Sequence, residues 1–400
     1  MPKVSVIIPT YNRPHLFPKA VDSVLKQTFT DFEIIVVDDG STKPVGYIVN
    51  QYNDSRLRYI YQENSGLVVA RNNGVFAADS KYIAFLDDDD RFLPHKLDVQ
   101  VALLEANPNI GLALGGYINE DSKGKLFSEN QPWLYHDPND IKTWLYGCPT
   151  IPSVPLIRTA WFNEIGGFDN NLKFTEDADL WLRLAFSGCR MAFVQSIVSI
   201  YYINPVGMAR NAIPMRNGWL QVINNFYSTP GIPNELLEIK EEVLSAAYII
   251  GAMREIGIGA IKQAQDDISM AFHLDKTLIE KPDFILETIV NFAVDPNITE
   301  HPYSYTKTVF SNLPNEAEQL KCFEKQVLGQ VISKLLFEAH KQNDIDAMRQ
   351  NLALLIMHNK SHFFDRGILS VTVEAFLGFK IAQIMRILFG RNPNNIKTNN

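Results

Sequence analysis

The sequence predicts an α/β fold, a mostly parallel sheet with helices on both faces, followed by an all-α region. Three observations predict it. Short apolar runs alternate with helical periodicities through roughly the first two hundred residues. The runs are apolar throughout, as in strands covered on both faces. From Ile213 onward the strand pattern stops and only helical spacings remain. Because 400 residues exceed one typical core, two domains are expected. They are placed at 1–212 and 213–392, with a frayed polar tail over 393–400.

Val4–Ile8 is a strand stopped by Pro9. Leu16, Phe17, Ala20, Val21, Val24 and Leu25 recur at spacings of three and four, which predicts a helix. Phe32–Val37 is a second strand, running into Asp38-Asp39-Gly40-Ser41, and Leu57–Tyr61 a weaker third. A helix over Gly66–Ala78 leads to the fourth strand, Tyr82–Leu86. Ile110–Tyr117 and the stretch Pro152–Arg158 follow. Thr175 then precedes a helix whose Trp181, Leu184 and Ala185 suit a buried side. In such sheets ligands bind beyond the carboxyl ends of the strands. Three polar clusters fall there: Pro9-Thr10-Tyr11-Asn12, Asp38–Ser41 and Asp87–Asp90.

The run Asp87-Asp88-Asp89-Asp90 closes an apolar strand with four carboxylates, which repel one another unless water or a cation offsets them. On an extended backbone Asp87 and Asp89 share one face, and Asp88 and Asp90 the other. Two carboxylates on one face suit a hard divalent ion, Mg2+ or Mn2+, with positions left for substrate phosphates. Asp39 suits a base N–H or ribose hydroxyl, and Tyr11 can stack on a base. Asp38-Asp39-Gly40-Ser41 is equally ordinary turn chemistry. Arg71 reads as a helix-surface ion pair or as a forked donor to a base or diphosphate.

Composition narrows the function further. A formal charge of −8 argues against a nucleic-acid partner, which would want a basic face. No GxGxxG follows the first strand and no GxxxxGK[ST] occurs, so neither a dinucleotide cofactor nor a P-loop is supported. Cys148, Cys189 and Cys322 lie far apart, with no metal-ligand spacing, as expected of reduced thiols in a cytoplasmic protein. No apolar signal region precedes Val4, and no apolar run is long enough to span a bilayer.

Taken together, Val4–Asn12 with its Pro-Thr-Tyr-Asn end, Gln27-Thr28-Phe29, Val37–Ser41, Gly66 with Ala70-Arg71-Asn72, and Phe85–Asp90 resemble the family 2 inverting glycosyltransferases of GT-A fold. The resemblance covers about residues 1–210. It implies a nucleotide-sugar donor, usually a UDP-sugar, and a glycan, lipid-linked or protein acceptor. It places base recognition on Asp39 and the Asp-x-Asp motif on Asp87 and Asp89, with Asp89 the direct ligand of Mn2+ or Mg2+. Pro9, Thr10, Tyr11, Asp38, Arg71 and Asp88 complete the implied donor site. Thr175-Glu176-Asp177 alone reads as a helix cap. After Gly166-Gly167-Phe168-Asp169 it is similar to the family's Glu-Asp motif, which makes Asp177 the catalytic base. The family's His after the last strand of this domain has no counterpart. The stretch Ser199–Arg210 carries Asn204 and Met208 instead, leaving Arg210 as the candidate for closure over the donor phosphates.

Two other readings compete with this one. A sugar nucleotidyltransferase would want a Gly-rich basic loop after the first strand, which Pro9–Arg13 is not. A non-catalytic scaffold built on the helical half would not need Asp39, Asp87, Asp89 and Asp177 together. That half reads as an irregular bundle with helices over Leu236–Ile250, Gly251–His273, Phe284–Phe292, Glu316–Lys341 and Asp344–His358. Ala252–Ala260 and Ala339–Ala347 resemble degenerate tetratricopeptide-type hairpins. Val373–Leu388, interrupted by Lys380, Gln383 and Arg386, reads as a last core helix or as a basic, membrane-surface face for peripheral contact.

Overall fold

The computed structural model describes residues 1–204, 207, 210–358, 368, 371, 372 and 375. Two compact units form, Met1–Ala247 and a second beginning at Tyr248. Most of Val373–Leu388, and all of 393–400, lie outside the described residues.

In the first unit, strands β1 (Val4–Thr10), β2 (Phe32–Asp39), β3 (Leu57–Gln62), β4 (Tyr82–Phe85), β5 (Arg91–Phe92), β6 (Ile110–Glu120), β7 (Leu126–Asn130), β8 (Leu156–Arg158) and β9 (Arg190–Tyr202) form one sheet. Its order is β3-β2-β1-β4-β8-β6-β9-β5, with β7 on β6. The strands β3-β2-β1-β4 are parallel, as expected. Beyond β4 the sheet is mixed: β8 runs antiparallel to both β4 and β6, whereas β6 and β9 are parallel. The short β5 and the polar β7 carry too little pattern to be read from sequence.

Every residue of β1 and β2 is buried. Their alternation divides the side chains between two cores. Val6, Ile8, Ile34, Val36 and Ala84 face α1 (Phe17–Leu25) and α4 (Lys96–Ala106), meeting Phe17, Val21 and Leu97. Ile7, Ile35, Val37, Ile83 and Phe85 face the other way, onto α3 (Leu67–Phe76) and α7 (Glu176–Phe186). Pro9 sits in the central strand without loss. The Ile7 carbonyl accepts from Leu86 N–H, so position 9, two residues on, also points toward β4, whose ladder has ended.

Helix α3 lies close on β1 because of Gly74. A Cβ there would stand 2.3 Å from Ile7 Cγ2 and 3.2 Å from Val37 Cγ2. Gly74→Ala is therefore expected to cost about 1–3 kcal/mol of stability, read as a lower urea midpoint at unchanged slope. An unchanged midpoint would mean that α3 can lift without penalty.

The short helices α2 (Gly46–Val49), α5 (Ile141–Leu145) and α6 (Thr159–Glu164) complete the connections of the sheet. Past Ile213 the first unit continues through α8 (Ala212–Tyr227) and α9 (Asn234–Glu238). Trp219, Val222, Ile223 and Leu236 join the core under the α3 face of the sheet. The change from strand to helix pattern therefore comes before the edge of the compact unit.

The second unit holds the end of α10 (Lys240–Gly257), then α11 (Ile261–Leu274), α12 (Asp283–Ala293), α13 (Pro302–Ser311), α14 (Glu324–Lys341) and α15 (Ile345–His358). The helix expected over Gly251–His273 is broken at Gly259, and that over Glu316–Lys341 starts as a 3-10 turn. Both hairpin-like stretches fall at helix–helix turns. Ala260 N–H donates to Glu255 O past left-handed Gly259, as Asp344 N–H does to Ala339 O past left-handed Asn343. The structural register pairs Ile261 with Ile345, three residues away from the match read in the sequence. Among the described residues no helix is long and apolar enough to cross a membrane.

Candidate active site

The acidic run is a turn. β4 stops at Phe85, and Asp90 N–H donates to Asp87 O at 3.0 Å. The extended backbone expected for Asp87–Asp90 is thus replaced, but exposure still alternates. Asp87 and Asp89 are partly open, while Asp88 and Asp90 are 5% and 1% exposed. Asp90 accepts from Ser153 Oγ at 2.6 Å and Tyr202 N–H at 3.0 Å. Asp88 accepts from Thr10 Oγ1 at 2.8 Å and from Arg13 Nη1 at 2.9 Å. Asp88, expected on the donor, therefore faces inward and ties β1 to the turn. Burial pushes Asp88 up to about 7 although Arg13 opposes it, and pushes Asp90 well above the usual carboxylate range. Asp89 is also raised, by burial and then by the charge of Asp87.

Arg71 joins this turn to α7. It is 1% exposed, with one Nη on Asp87 and the other on Glu176. Its guanidinium also lies 5.5 Å from the Phe168 ring centre. The forked donor expected beside a base or diphosphate is instead bonded to two protein carboxylates. Asp177 follows Glu176 in the first turn of α7 and is partly exposed. Burial pushes its carboxyl up to about 7, with Glu176 adding and Arg71 opposing. Thr175 does not cap the helix through its side chain. Its hydroxyl donates to Phe174 O at 2.5 Å, and its backbone is left-handed at φ 60°, a costly conformation for a β-branched residue. Gly218 of α8 makes room for this turn, since a Cβ there would stand 2.8 Å from Thr175 Oγ1.

The remaining cluster divides into a structural and a candidate donor half. Asp38 is fully buried, accepting from Ser41 N–H, Val45 N–H and Tyr59 OH at 2.8–3.0 Å. It is the turn residue that Asp-Asp-Gly-Ser chemistry suggested, and it has no surface to offer a donor. Asp39 accepts from Gln62 Nε2, Ser65 N–H and Gly66 N–H at 2.7–2.9 Å. A carboxylate has about four lone-pair sites, so Oδ2, which accepts once, retains capacity, but only 4% of Asp39 is exposed. Asn12 ties this edge together, its N–H on Ser41 Oγ and its Oδ1 on the Thr42 N–H and hydroxyl. Tyr11 is 47% exposed beside it. Thr10 is buried on Asp88, and Pro9 is buried in β1.

Arg13, Ser153 and Asn204 are partners of the acidic turn that no local sequence signal marks. Asn204, in the stretch that lacks the family's His, donates from Nδ2 to Asp89 Oδ2 at 3.2 Å. Among the described residues no three His, Cys, Asp or Glu side chains converge on one metal position. An ion here would depend on Asp87 and Asp89, hard oxygen donors that suit Mg2+ or Mn2+ and leave the rest of its coordination to water and phosphate.

The model of glycosyl transferase family 2 matches residues 5–165. A glycosyltransferase of Rickettsia felis, described as uncharacterized, is 37% identical over 185 residues, 46% of this chain and 30% of that one. The chain thus spans less than a third of that relative. The UDP-Glc:alpha-D-GlcNAc-diphosphoundecaprenol beta-1,3-glucosyltransferase WfgD of Escherichia coli is 31% identical over 234 residues, 57% of this chain and 87% of WfgD. Mannosyltransferase PcManGT of Pyrobaculum calidifontis, solved with GDP-Man and Mn2+, superposes with a TM-score of 0.50 at 16% identity, over 81% of this chain and 88% of that one. This last likeness concerns the fold alone, a mixed GT-A sheet with flanking helices.

Proposed function

The chain belongs to glycosyl transferase family 2, and we propose that it is a metal-dependent, inverting glycosyltransferase that moves a sugar from a UDP-sugar to an acceptor hydroxyl. One observation carries the reading. Arg71 spans from Asp87 to Glu176, so the acidic turn and the Glu176-Asp177 pair stand one guanidinium apart. A donor diphosphate and an attacking hydroxyl need that proximity.

Asp177 takes the proton of the acceptor hydroxyl as its oxygen bonds to the anomeric carbon. The bond from that carbon to the diphosphate breaks on the opposite face, and its electron pair leaves with UDP. A carboxyl held near pH 7 is suited to receive a proton under ordinary conditions. Asp89, assisted by Asp87, would hold the divalent ion, which as a Lewis acid offsets charge on the departing diphosphate. Asp39 accepts from the base and Tyr11 stacks beside it. Arg71 fixes Asp87 and Glu176 without touching the donor.

The donor named for WfgD is UDP-Glc and its acceptor is lipid-linked, which favours a UDP-sugar and a diphospholipid-borne glycan here. Such an acceptor would bring the protein to the inner face of a membrane. UDP release from a panel of UDP-sugars, with Mn2+ or Mg2+ and then with chelator, tests this. Release from at least one donor, abolished by chelator, is expected. Chelator-insensitive release, or none from any donor, would remove the reading.

A further inference from the structure

Arg13 is a cation already seated in the acidic turn. Its Nη1 lies 2.9 Å from Asp88 Oδ1 and 3.0 Å from Asp89 Oδ2. The two contacts differ in kind. Asp88 faces inward and is fixed by Thr10, whereas Asp89 is the outer, partly open carboxylate. Arg13 itself has about a third of its side chain exposed, at 34%, unlike the fully enclosed Arg71. It is therefore held through Nη1 while part of its side chain meets solvent.

A divalent ion on Asp89 would stand within a few ångströms of this guanidinium, and like charges repel strongly where water is partly excluded. Asp89 Oδ2 already accepts from both Arg13 and Asn204. We propose, building on the metal role of Asp89 above, that Arg13 is an internal competitor for the divalent ion. It holds Asp89 when no ion is bound, releases it when one binds, and stays tethered through Asp88. Such a residue weakens metal binding to the donor-free protein. The ion then loads chiefly with the diphosphate, whose oxygens supply further ligands. Arg13 is in this sense a positioning residue that couples metal to donor.

The test is Mn2+ binding to the full chain without nucleotide, read from the electron paramagnetic resonance signal of the free ion. Arg13→Gln is expected to bind Mn2+ roughly tenfold tighter than wild type, about the strength of one charge-assisted hydrogen bond to a carboxylate. Arg13→Lys keeps the charge, should fold even if the Gln variant does not, and is expected within roughly threefold of wild type. Arg91→Gln removes an equal charge from the nearby pair with Glu120 and controls for net charge. It too is expected within roughly threefold of wild type. Adding Asp89→Ala should abolish binding in each background. Equal affinity in wild type and Arg13→Gln, or equal gains in Arg13→Gln and Arg91→Gln, would overturn the proposal and leave the metal site standing. Mn2+ binding to none of these proteins, with or without UDP, would overturn the metal site as well.

Discussion

Replacing Asp177 by Asn is expected to lower turnover roughly 10²- to 10⁴-fold, the usual cost of losing a general base, while UDP affinity and metal dependence stay at wild-type level. Asn keeps the shape and removes the basicity. The pH profile should report the same group. Burial raises the Asp177 carboxyl to about 7, so activity that needs its ionised form falls as pH drops through that value. Stability follows the opposite sign. A carboxyl whose folded value lies above its unfolded one, near 4, stabilises the fold fully below pH 4, and that contribution is lost as pH rises toward 7. Asp177→Asn should flatten this slope between pH 4 and 7. A helix-capping role alone predicts about 1 kcal/mol lost in Asp177→Ala and turnover largely retained in Asp177→Asn. Wild-type turnover with a wild-type melting temperature would move the base to Glu176 or Asp179. Neither is as free: Glu176 is held by Arg71, and Asp179 by Arg183 at 2.6 Å.

Asp89→Ala is expected to weaken UDP binding by at least about 30-fold, as when one member of a close charge pair is truncated, and chelator should do the same to wild type. Calorimetry with UDP, with and without Mn2+, measures both. The two losses should not add, because they remove one interaction. Equal UDP affinity with and without metal would detach the acidic turn from the donor. Asp88→Asn is a useful contrast. Its contacts to Thr10 and Arg13 are internal, so it should cost stability, and it reaches metal binding only through its hold on Arg13.

The parts of the fold legible in sequence are those whose environment is uniform. β1 and β2 are buried from end to end and read as unbroken apolar runs, and α1 buries Phe17, Ala20, Val21 and Val24 at helical spacing. β9 is long but unevenly buried, and β7 has no fully buried residue, so neither shows a clear period. The acidic run was visible, but which of its members face inward was not. That is decided by partners far along the chain: Ser153 lies 63 residues from Asp90, Tyr202 lies 112 from it, and Arg13 lies 75 from Asp88. Arg71 shows the same limit. Its helix spacing suggests a surface pair or a ligand contact, and only the approach of Asp87 and of Glu176, 105 residues further along the chain, encloses it. Thr175 carries a cap residue's identity, yet its left-handed backbone sends the hydroxyl to Phe174 instead.

The stereochemistry of the transferred sugar tests the central claim most directly, and it needs no knowledge of the acceptor. A donor accepted in the UDP-release panel is incubated with enzyme and Mn2+, with water as acceptor. Proton NMR then follows the anomer formed before mutarotation. One displacement assisted by Asp177 predicts that an α-linked UDP-sugar first yields the β-anomer, and that Asp177→Asn suppresses this product. Initial release of the α-anomer would contradict the account.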